Sequence, residues 1–184
     1  MGANTERIES IRQSKRQNRI AVGAGAGVTL AASLFFFFLP ALIPMEQFRM
    51  LVWEATGKWV FENPFQQLRI LGPGIGGLIA GYFSIDRTGS RDWTMSMKNG
   101  IYAALIGVGL IYLVYSGFIA VRYGTAIVTD PAISLNVGHV LDILMVPLVF
   151  VFPLLPAAIF EGFIFGAAGN GLRLVIPVGS AAGS

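Results

Sequence analysis

Ile70-Leu-Gly-Pro-Gly-Ile-Gly-Gly-Leu-Ile-Ala-Gly-Tyr-Phe-Ser-Ile85 is a run of 16 residues without a charge, and five of them are glycine. A helix that spans a bilayer needs about 20 residues. This run is short of that, and its reading decides whether the chain crosses a membrane three times or four. It crosses as a short helix with Arg69 reaching back to the interface, or it dips in and returns.

The flanking sequence supplies the context. Charge-free runs also cover Ile20 to Met45 (26 residues), Gly100 to Val121 (22 residues) and Ile143 to Phe160 (18 residues). The last resumes after Glu161 as Gly162 to Leu172. A charge at the bilayer centre costs at least about 2.5 kcal/mol on insertion scales, so such runs mark spans. Composition agrees: 54% of the 184 residues are hydrophobic and 12% are charged. A soluble domain carries about 25% charged residues. The chain therefore reads as an all-α, polytopic membrane protein. Without cysteine, disulfides, thiol chemistry and Cys-ligated metals are excluded. The first run is longer than a signal-peptide core and lacks a small-x-small cleavage site, so it is expected to stay as an anchor.

Lysine and arginine choose between three and four spans. With four spans and the N-terminus inside, nine lie inside and four outside. With the second run re-entrant, six lie inside and seven outside. The positive-inside bias favours four spans with both termini cytoplasmic. The expected layout is a basic tail at 1–19, spans near 20–45, 66–85, 100–121 and 143–168, and a C-terminal tail at 173–184. An interfacial helix near 47–61 is expected in the first outer loop. There Phe48, Leu51, Val52, Ala55 and Trp59 follow helical spacing, and Trp53 and Trp59 suit the headgroup level.

The tail reads as a short helix capped by Asn4 or Thr5. Its Arg12, Lys15, Arg16 and Arg19 are expected to meet lipid headgroups, or simply to fix topology. No aromatic residue interleaves them, which argues against nucleic acid. Asp130-Pro131 reads as a helix start. Pro147, Pro153 and Pro156 are expected to kink or break the fourth helix.

Small residues recur at four-residue spacing. Gly23, Gly27 and Ala31 form one such stripe, and Gly72, Gly76 and Ala80 another. Gly77 and Gly81 lie beside the second, and Ala103–Gly107 and Gly162–Gly166 complete the set. In lipid, helices associate through close backbone approach, which small residues permit. The stripes are expected to join helices of one chain or of several, in a homo-oligomer or with other membrane proteins. Leu71 to Gly77 lacks the Gly-Lys-Ser/Thr ending of a nucleotide loop.

Glu161 is the lone charge between Ile143 and Leu172. An intramembrane carboxylate raises the possibility of a proton carrier or cation ligand, and against it stands a place among the headgroups. His139 and Asp142, three positions apart, offer a second candidate ion pair or a solvated structural pair. No catalytic arrangement, cofactor motif or metal cluster is legible. The expectation is a non-enzymatic membrane scaffold or assembly subunit. The alternative is a small channel or transporter using Glu161 and the broken fourth helix.

Gly76-Gly77-Leu-Ile-Ala80-Gly81-Tyr82 resembles the Gly-Gly-x-x-Ala-Gly-Tyr block of a family of small four-span haloarchaeal membrane proteins of unknown function. Phe160 to Gly169 loosely matches that family's second glycine-rich block. The resemblance covers roughly residues 65–172 and implies a membrane fold without implying an activity. The chain lacks the acidic loops expected of proteins from salt-loving organisms. Small multi-span proteins of this kind also occur in membrane-bearing archaeal viruses.

Overall fold

The computed structural model describes residues 2–42, 71–85, 92–129 and 136–176. Five helices occupy them: α1 (Gly2–Leu42), α2 (Leu71–Phe83), α3 (Trp93–Thr129), α4 (Val137–Val151) and α5 (Leu154–Val175). No strand occurs among the described residues. Three stretches are long and apolar enough to cross a membrane: Thr5–Phe36, Trp93–Thr129 and Val137–Val175. Helix α2 is apolar but shorter.

The tail and the first run form one helix, where separate helices were expected. No glycine or proline stands between Thr5 and Val22 to interrupt it, and Lys, Arg and Gln propagate helix well. Helix α3 extends past the expected 100–121 at both ends. Asp92 starts it by accepting the Thr94 N–H at 2.8 Å, a cap that satisfies one of the orphan donors of the first turn. The start expected at Asp130-Pro131 lies outside the described residues. The N-cap of α4 is Asn136, in extended backbone at φ −127° and ψ 171°, so no helix runs unbroken from Pro131 through His139. The break in the fourth run falls at Phe152–Pro153, between α4 and α5. Pro153 and Pro156 donate no backbone N–H there. Pro147 sits inside α4 and leaves the Ile143 carbonyl without its helical donor. The Tyr112 hydroxyl reaches the adjacent carbonyl of Leu144 at 3.2 Å.

Contacts between helices fix their order. Asn18 meets Asn99, Gly25 faces Ala103 and Thr29 faces Gly107, so α1 and α3 run parallel. Asn18 meets Ile85, while Thr29 faces Gly76 and Ser33 faces Gly72, so α2 runs the other way. Helix α5 runs with α2, as Gly74–Glu161, Gly81–Gly166 and Ser84–Arg173 lie in register. Tyr112–Leu144 and Tyr123–Asp142 set α4 antiparallel to α3. The chain thus goes up, down, up and down, with α4 and α5 sharing the last pass. Asn18 and Arg173 both reach the Ser84–Ile85 corner, so they lie at one end of the bundle.

The interior is made of small side chains. Ala80, Ala103, Ala104 and Ala158 are fully buried. Large apolar side chains face outward: Leu113, Phe118, Val149, Phe152 and Phe160 are each more than 60% exposed. A water-soluble monomer rarely exposes so continuous an apolar surface. The arrangement suits lipid, where tails are as apolar as Leu and close approach selects the small residues.

Candidate functional site

Helix α2 is held at both ends. Its first turn offers backbone N–H groups that lack helical partners, and Pro73 has none to offer. Glu161 of α5 takes up the next: its Oε2 accepts the Gly74 N–H at 2.9 Å. A carboxylate there also complements the positive end of the helix dipole. At the other end, carbonyls lack helical donors and cations or amides are favoured. Arg173 Nη1 donates to Ser84 O at 3.0 Å. Asn18 Nδ2 donates to Ile85 O at 2.7 Å, and Asn18 Oδ1 accepts the Ile85 N–H at 3.0 Å. Asn99 Nδ2 donates to Ser84 Oγ at 2.7 Å and to Asn18 Oδ1 at 3.1 Å. Four helices therefore converge on Ser84 and Ile85. Glu161 and Arg173 are twelve positions apart in α5, about 18 Å along a helix. Gly74 and Ser84 are ten apart in the parallel α2, about 15 Å. One helix thus grips the other by its two poles.

Between these poles, α2 presents glycine on two sides. Gly72 and Gly76 face Ser33 and Thr29 of α1. Gly77 and Gly81 face Gly162 and Gly166 of α5, and a Cβ at Gly77 would lie 3.0 Å from the Gly162 Cα. Gly107 faces Thr29, and Gly162 and Gly166 also approach Gly100 and Ser96 of α3. Gly23 and Gly27 do not pack within the chain: both are exposed, and a Cβ at either meets nothing within 4 Å. The face of α1 that meets the bundle carries Ala21, Gly25, Thr29 and Ser33, all buried. A two-residue offset turns a helix by about 200°, which puts Gly23 and Gly27 on the other side. Gly25, Gly74, Gly100 and Gly169 also make close approaches that the sequence stripes did not single out.

The candidate ion residues do not form one site: His139 and Asp142 both meet Tyr123, while Glu161 meets α2. His139 completes a capping box: its N–H donates to Asn136 Oδ1 at 3.0 Å, and its Nδ1 accepts the Asn136 N–H at 3.4 Å. Its ring lies 4.6 Å from that of Tyr123. Asp142 accepts the Tyr123 hydroxyl at 2.6 Å. Glu161 is on the other side of the α4–α5 break and bonds to α2. No group of three or more His, Asp or Glu able to hold a metal occurs among the described residues.

Arg12, Lys15, Arg16 and Arg19 are all exposed. Lys15 and Arg19 border an open groove of about 520 Å³ between α1 and α3, whose deeper walls include Val22, Gly23, Tyr102 and Ile106. Trp53 and Trp59 lie outside the described residues, as does the interfacial helix expected at 47–61. No family model, curated protein or solved structure matches the chain.

Proposed function

We propose that this chain is an integral membrane scaffold or assembly subunit of a cellular or viral membrane, with four crossings, both termini on the interior side and no catalytic chemistry. The observation that carries the reading is the engagement of Glu161. The one charge within the last apolar run accepts the Gly74 N–H through Oε2, which gives it a structural role in joining α5 to α2.

Helix order supports four crossings. Two parallel helices, α1 and α3, alternate with two passes in the opposite sense. Lys15, Arg16, Arg19 and Lys98 precede or flank the corner where Arg173 and Asn18 meet, which gathers positive charge at one end as the positive-inside bias requires. The glycines between α1, α2, α3 and α5 support packing through small-residue stripes. The outward Phe, Leu and Val side chains supply a surface for lipid, a second copy or another membrane protein.

One feature favours the channel alternative. Glu161 is about 18 Å from Arg173 along α5, well within a hydrocarbon core of about 30 Å, and the helix is broken nearby at Phe152–Pro153. Transporters place ion sites beside such breaks. Flux separates the two. Wild type and Glu161→Gln are reconstituted in liposomes under a proton or cation gradient. The scaffold reading expects both to decay as slowly as empty liposomes. A wild-type leak abolished by the substitution would overturn it.

A further inference from the structure

We propose that the groove between α1 and α3 holds one anionic phospholipid, with its phosphate between Lys15 and Arg19 and one hydrocarbon chain lying along Val22, Gly23, Tyr102 and Ile106. This inference rests on the membrane reading and not on the scaffold role. A leak in the flux assay would leave it standing, and a failure here would leave the scaffold standing.

Three observations carry it. The first is the order of chemistry along the groove. Lys15 and Arg19 are one helical turn apart at the end of the bundle that also holds Arg173 and the Ser84–Ile85 corner. Gly23 is one turn deeper and Ile106 two turns beyond Asn99. The charged mouth and apolar floor follow the direction in which a lipid stands, headgroup at the interface and chain inward. The second is shape. Gly23 lacks a side chain in the α1 wall of the groove, and a Cβ there would meet nothing within 4 Å. The space of about 520 Å³ is within the range of about 300–1,000 Å³ in which proteins hold small ligands. The third is availability. The other polar side chains at the mouth, Asn18 and Asn99, spend their amides on Ile85 and Ser84. Lys15 and Arg19 make no hydrogen bond or ion pair among the described residues. Charge complementarity therefore selects an anionic headgroup over a zwitterionic one. The apolar lining beyond the charged mouth selects a lipid over a soluble anion.

The test is native mass spectrometry of the full chain, released from mild detergent. Phosphatidylglycerol, phosphatidylcholine and inorganic phosphate are added separately. One phosphatidylglycerol per chain is expected to be retained, at a concentration about tenfold or more below that needed for phosphatidylcholine. The double variant Lys15→Gln, Arg19→Gln is expected to lose that preference. Gly23→Leu places a branched side chain in the groove and is expected to lower occupancy by both lipids. Its unfolding midpoint in lipid-free detergent should stay at the wild-type value, which separates a filled groove from a damaged fold. Equal retention of the two lipids by wild type would overturn the proposal. So would full occupancy in Gly23→Leu. Displacement of phosphatidylglycerol by inorganic phosphate alone would reduce the site to a free-anion patch and overturn it as well.

Discussion

Gly81→Leu is expected to collapse the bundle in detergent. A Cβ at Gly81 would run into the Gly166 carbonyl carbon and Cα at 2.7 and 2.8 Å. Those are backbone atoms of α5 and cannot rotate aside. Overpacking a well-filled core costs about 1–3 kcal/mol and sometimes more. With backbone on the far side and three further heavy atoms to place, the cost belongs at or above the top of that range. For a chain of this length each kcal/mol shifts the midpoint by about 2–4 °C. A fall of roughly 10 °C, or failure to accumulate, is the expected outcome. Gly109→Leu is the control, because a Cβ at Gly109 meets nothing within 4 Å. Equal midpoints for the two variants would show that α2 and α5 do not meet through glycine.

The second large effect sets two glycines of one helix against each other. Gly25→Leu would bring a Cβ to 2.5 Å from Gly76 O, 2.8 Å from Ala103 Cβ and 2.9 Å from Ala80 Cβ. It wedges α1, α2 and α3 apart together, so its cost should match or exceed that of Gly81→Leu. Gly23→Leu, two residues away, should leave the midpoint unchanged or raise it slightly, since leucine is the better helix former by up to about 1 kcal/mol. Thermal unfolding of the pair in lipid-free detergent checks this. If Gly23→Leu were the damaging member, the face of α1 would be turned the other way.

These glycines show where a sequence runs out. Apolar run length depends on local composition, so the long helices were legible from charge-free stretches alone. The face that a helix presents was less so. In Gly23-Ala-Gly-Ala-Gly27, two stripes of small residues compete at the same spacing. One continues through Gly27 to Ala31, the other through Gly25 to Thr29 and Ser33. The second is the buried one, and nothing in α1 by itself reveals that Gly76 and Gly72 lie opposite its hydroxyls. In α2 the ambiguity vanished because both stripes are used, one toward α1 and one toward α5.

The polar contacts follow the same logic. Glu161 stood out as a lone charge, but its partner is a backbone N–H 87 positions away, which no local motif encodes. Asn18, Ser84 and Asn99 carry no motif in the sequence, as each is an ordinary polar residue at the edge of an apolar run. Their meeting at one corner depends on three helices arriving there. His139 suggested ion chemistry by its type, whereas its surroundings make it a cap. A signal existed in Asn136-Val-Gly-His139, which has the spacing of a capping box with histidine in the place usually held by Glu or Gln.

We propose that α2 crosses the membrane as a complete pass, held by α5 at both poles, so that the chain spans four times. The absence of native cysteine makes the test direct. Single cysteines are placed at Lys58 and, separately, at Ser90, and intact cells or sealed right-side-out vesicles are treated with an impermeant thiol reagent. Four spans predict that position 58 is labelled from outside and that position 90 reacts only after the membrane is opened. Labelling of position 90 from outside would make the α2 segment re-entrant and leave three crossings.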